Sequence, residues 1–139
     1  MIRRRTLGIG AALAFIGSAA LLFSGHPLLD WPGSGLPLGT LIAGVFVASL
    51  GALPLAIAPV EGTSRRLAAA VFVLAMAWLP ASLLMAGNWR LNFDGGPRSE
   101  WATALGMFTL AAIALGSVVA ALSRIRAART TRHQKSTDQ

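Results

Sequence analysis

The side chains of this 139-residue chain best suited to chemistry lie in two short segments: His26 and Asp30 in the first, and Asn88, Arg90, Asn92, Asp94, Arg98 and Glu100 in the second. Brought together, they offer an imidazole or carboxylate base beside cations and amides, the equipment for hydrolysis or group transfer at a lipid headgroup. Their spacing matches no fixed catalytic signature, and no nucleophile stands beside a base that a third group orients. The set therefore reads as loop polarity facing water. Met85, Met107 and His26 are a second set, soft ligands suited to Cu(I). Without a methionine-rich cluster or a neighbouring second histidine, the methionines read as core filler. The chain has no cysteine, which removes disulfides, iron–sulfur clusters and thiolate metal sites. No cofactor and no metal are expected.

The elements that position these residues are four stretches without a charged side chain, at residues 7–24, 36–60, 67–87 and 102–122. A helix in water shows a polar stripe, whereas these are apolar all round and near or above the ~18–20 residues that cross a hydrocarbon core. Lipid offers no partner to backbone N–H and C=O groups, and the alternation of barrel strands is missing, so each stretch reads as a helix. The expected fold class is all-α: a polytopic membrane protein with four transmembrane helices in an antiparallel bundle. Residues 1–123 form the membrane domain and 124–139 a basic tail. With 55% hydrophobic residues and a mean hydropathy of +0.65, nearly the whole length goes into spans and short loops.

No side chain inside the spans titrates, which argues against a proton relay and against a bis-histidine haem. The net charge of +7 raises the question of nucleic acid until the cations are placed. Arg3, Arg4, Arg5, Arg65, Arg66, Arg124, Arg126, Arg129, Arg132 and Lys135 all fall on one side of the alternating spans. Only Arg90 and Arg98 fall on the other, a ratio of ten to two. The positive-inside rule then predicts both termini in the cytoplasm, with the basicity an orientation signal. The tail lacks the interleaved aromatics that stack bases, so no nucleic acid is expected. Residues 1–20 also have the basic and apolar regions of a signal peptide, with Gly17, Ser18, Ala19 and Ala20 as small residues. The apolar run continues through Leu21, Leu22 and Phe23 to span length, so a retained span is expected.

Along the chain, Gly44, Ala48, Ala52 and Ala56 recur every fourth residue in the second span, and Ala112, Gly116 and Ala120 in the fourth. Such stripes let a neighbouring helix approach closely. Pro54 and Pro59 predict a kink and an end near Val60; Pro80 stands near Trp78 in the third span. Thr63 or Ser64 is expected to cap the third helix and Ser99 the fourth. The connection 88–101 carries four of the seventeen charged residues, and Trp89 and Trp101 bracket it as interfacial anchors, as Trp31 does the first outer connection. The tail is expected to be helical for a turn or two and disordered thereafter.

Spans without polar groups are held by close packing, and a bundle with two small-residue stripes has surface to offer another membrane protein. The expected function is a non-enzymatic small subunit, accessory or structural, of a larger complex in a bacterial inner membrane. Gly44, Ala48, Ala52, Ala112 and Gly116 are the expected packing residues; Trp89, Arg90, Asp94, Arg98 and Trp101 form the expected outer contact. Its partners would be membrane lipids and another integral membrane protein or a second copy. The alternatives are a transporter or pore component for an uncharged or lipid-like solute, gated at Pro54 and Pro80, and a membrane immunity or stress protein.

Overall fold

The computed structural model describes residues 2–30, 37–59, 61–92 and 95–137; Trp31 and Asp94 lie outside the described residues. All regular structure among them is helical: α1 (Ile2–Phe23), a 3-10 turn (Pro27–Asp30), α2 (Leu38–Ile57), α3 (Thr63–Ala86) and α4 (Pro97–Thr137). Each of the four α-helices is long and apolar enough to cross a membrane, which marks a multi-pass membrane protein.

Helix ends follow local chemistry more closely than the apolar runs do. Pro59 cannot donate to the Leu55 carbonyl four residues back, so α2 stops at Ile57, three residues short of the expected end. The orphaned Leu55 carbonyl accepts a hydrogen bond from Arg65 Nη1 at 2.8 Å. The expected hydroxyl caps at Thr63 or Ser64 and at Ser99 are corrected. Gly62, at φ 105°, occupies the cap of α3 and makes no side-chain bond. In α4 Pro97 opens the helix, because its missing N–H is one the first turn leaves unpaired in any case. Gly87, at φ 68°, closes α3 and donates its N–H to the Leu83 carbonyl at 2.9 Å.

The tail is a second correction. α4 runs unbroken for 41 residues, so helix continues through 124–137 where only a turn or two of helix was expected before disorder. At about 1.5 Å per residue it is about 62 Å long, well beyond the ~30 Å of a hydrocarbon core. Alanine and arginine are strong helix formers, and no glycine or proline interrupts 124–137.

Two clusters define the core. Val47, Val71, Ala75 and Ile113 form one, flanked by Phe46, Leu50, Trp78 and Ala112; Ala58, Ala68 and Ala120 form the other, flanked by Leu55 and Ile57. Apart from Ala58, which caps α2, every buried member of these clusters belongs to α2, α3 or α4, so these three helices make the packed unit. α1 lies on α2, with Phe15 and Phe46 stacked at 5.2 Å and Gly8 facing Ala56. Only 6% of its span is buried. Ile9, Leu13 and Ile16 on α1, Val73 and Leu84 on α3, and Phe108 and Leu115 on α4 point outward, as lipid-facing side chains do.

Candidate functional site

The described part of the 88–101 connection is organised by one side chain. Asn88 Oδ1 accepts from the N–H groups of Arg90 at 3.1 Å and Asn92 at 3.0 Å, while its Nδ2 donates to the carbonyls of Ala86 and Asn92. An asparagine directly after a helix-ending glycine replaces the missing helical partners in this way. Leu91 takes a left-handed φ of 52°, which this turn imposes on a residue that disfavours it. Thr40, 7% exposed, then ties the turn to α2, its hydroxyl donating to the Trp89 carbonyl at 3.2 Å.

This bond brings two connections together. The 3-10 turn sits on the start of α2 so closely that a Cβ on Gly39 would stand 3.1 Å from the Leu29 carbonyl oxygen. Leu29, Pro37, Gly39, Thr40 and Arg90 then line a cleft of about 370 Å³. Among the described residues, the lining supplies one guanidinium, from Arg90, and one hydroxyl already engaged, from Thr40. Among the described residues expected to form the outer contact, only Arg90 reaches this cleft. Trp89 is exposed and lines a second cleft of about 500 Å³ with Pro80, Leu84 and Asn88. Arg98 and Trp101 are exposed on the first turns of α4 and line neither. Met107 points outward and lines none of these clefts, and among the described residues no group of three histidine or acidic side chains is placed to hold a metal ion.

The packing residues divide by partner. A Cβ on Gly44 would collide with the Leu79 side chain, and one on Gly116 would stand 3.1 Å from Val71 Cγ2 and 3.7 Å from Pro54 Cβ. Both therefore serve contacts among α2, α3 and α4. Ala112 flanks the first core cluster, while Ala48 and Ala52 line a groove shared with α1. Gly51 is the residue that the four-residue spacing missed. It lies off the stripe, yet its side-chain position is filled by Ala75. By contrast Gly10 and Gly17 of α1 face nothing within 4 Å.

Four hydroxyls inside the helices are bonded to their own backbone, whereas Thr40 of α2 donates across to Trp89. Ser18 donates to Ala14, Ser49 to Phe46, Thr109 to Leu105 and Ser117 to Ile113, at 2.6 to 2.8 Å. Thr109 is 1% exposed, and its bond leaves no donor directed at a neighbouring helix. No protein family, no curated protein and no solved structure matches this chain.

Proposed function

We propose that this chain is a non-enzymatic accessory or structural subunit of a larger complex in a bacterial inner membrane, its four helices antiparallel and both termini cytoplasmic. The observation that carries the reading is α1. It rests mainly on α2, few of its span residues are buried, and a Cβ at Gly10 or Gly17 would meet nothing within 4 Å. Two glycines seven residues apart lie on nearly one face of a helix, a surface that another transmembrane helix can approach closely. Gly44 and Gly116, by contrast, serve the chain's own helices, so the partner surface moves to α1.

The arrangement has separate support. Gly8 faces Ala56 while Phe15 faces Phe46, so sequence order along α1 runs against that along α2. The ten-to-two partition of Lys and Arg supports cytoplasmic termini. Ser18, Ser49, Thr109 and Ser117, each bonded to its own helix, weigh against a polar solute path.

Extraction in a mild detergent through a C-terminal tag, followed by mass spectrometry, tests the proposal. A stoichiometric integral membrane partner, lost when Gly10 and Gly17 are both replaced by leucine, is the expected result. A wild-type chain that emerges alone and monomeric overturns it.

A further inference from the structure

Between α1, α2 and α3 runs a groove of about 380 Å³, walled by Gly10, Ala11 and Ala14 on one side, Ala48 and Ala52 on the other and Phe72 at one edge. Its one hydroxyl, on Ser49, is bonded to the Phe46 carbonyl, so the walls present no free donor. At one end stands the stacked pair Phe15 and Phe46. At the other, Gly8 meets Ala56, and the adjoining Leu55 carbonyl holds the guanidinium of Arg65, with Arg66 exposed beside it. The groove is thus apolar along its length, bounded by aromatic rings at one end and flanked by cations at the other.

We infer that this groove holds one acyl chain of an anionic phospholipid whose phosphate sits at Arg65 and Arg66. A transmembrane helix is about 10 Å across and needs a seam the length of a span, whereas this slot extends over about two turns of α1. One alkyl chain suits its width and dryness. Arg65 carries five N–H donors in a fixed fork, of which the Leu55 carbonyl engages Nη1, and the bond anchors the guanidinium at the groove mouth. Basic residues between helix ends at a membrane surface are suited to phosphate headgroups. Glu61, exposed in the same connection, offsets one of the two charges, leaving a preference equivalent to about one cation. The inference does not use the membrane orientation; because Gly10 borders both this groove and the proposed partner face, the lipid test fills the groove from Ala48 and Ala11 alone.

Native mass spectrometry of the purified full-length chain, with equal amounts of dioleoyl phosphatidylglycerol and dioleoyl phosphatidylcholine, tests it. The expected result is one retained lipid per chain with a preference of about fivefold for the anionic one, the weight of a single surface cation. Arg66→Gln should bring that preference close to parity, and Ala48→Phe, which fills the slot, should abolish retention while circular dichroism stays helical. Ala11→Leu fills the same slot from α1 and gives the answer if Ala48→Phe does not fold. No retained lipid, equal retention of the two lipids, or retention unchanged in the filled variants would each overturn the inference. So would a dimer that the filled variants dissociate, since a second copy would then occupy the groove.

Discussion

At the scale of single residues, the glycines separate by what stands opposite them. Gly51→Ala places a methyl group where Ala75 already sits, and overpacking of this kind costs about 1–3 kcal/mol. Gly10→Ala and Gly17→Ala meet open space, so each should leave the isolated chain unchanged or stabilise it by about 0.5–1 kcal/mol through helix propensity. Thermal unfolding in detergent, followed by circular dichroism, checks the contrast. An equal loss in all three variants would contradict it. Asn88 is the other decisive residue. Asn88→Ala removes the acceptor of two backbone N–H groups, which should cost about 1–2 kcal/mol and raise amide exchange across 88–92 while leaving α3 protected.

At the scale of elements, the junction of α2 and α3 is a compensated defect. Pro59 withholds a donor from the Leu55 carbonyl and Arg65 supplies one from the next helix. Arg65→Met should therefore cost about 1 kcal/mol, because the orphaned carbonyl loses its charged partner at a partly wet site. In a Pro59→Ala background the restored N–H can serve that carbonyl, and the same Arg65→Met change should cost almost nothing. A double-mutant cycle measures this coupling, and additive losses would mean that the bond contributes little. Thr40→Val makes the corresponding test at the other end. It releases the Trp89 carbonyl, and the expected loss is about 1 kcal/mol with faster amide exchange in 88–92.

At the scale of the whole molecule, three helices form the packed unit and the fourth is laid against one of them. α1 should be the first helix to separate as detergent harshness increases, because its contacts are mainly with α2. Cysteines at positions 15 and 46 of this cysteine-free chain should crosslink in mild detergent and lose that crosslink before a pair at 71 and 113. Simultaneous loss of both would show a single cooperative bundle. The proposed orientation is checked by reporter fusions. A reporter after Arg129 should be active only in the cytoplasm, and one in the 88–101 connection only on the far side.

The sequence by itself determined that the chain is helical, with four stretches long and apolar enough to cross a membrane, because unbroken apolar runs of span length leave the backbone no other way to satisfy its polar groups in lipid. It also carried the Pro59 helix stop, since that effect is local. The partners of the helices were decided only by the tertiary structure. Small residues every fourth position state that something comes close, but Gly44 and Ala48 lie on one stripe and face different helices. The Asn88 turn, the Thr40 bond and the cleft beside Arg90 likewise depend on which connection lies over which helix end, a relation between residues 49 positions apart in the case of Thr40 and Trp89. Hydropathy measures each residue against lipid and is blind to such pairings, because an apolar helix face has the same composition whether it meets lipid or another helix.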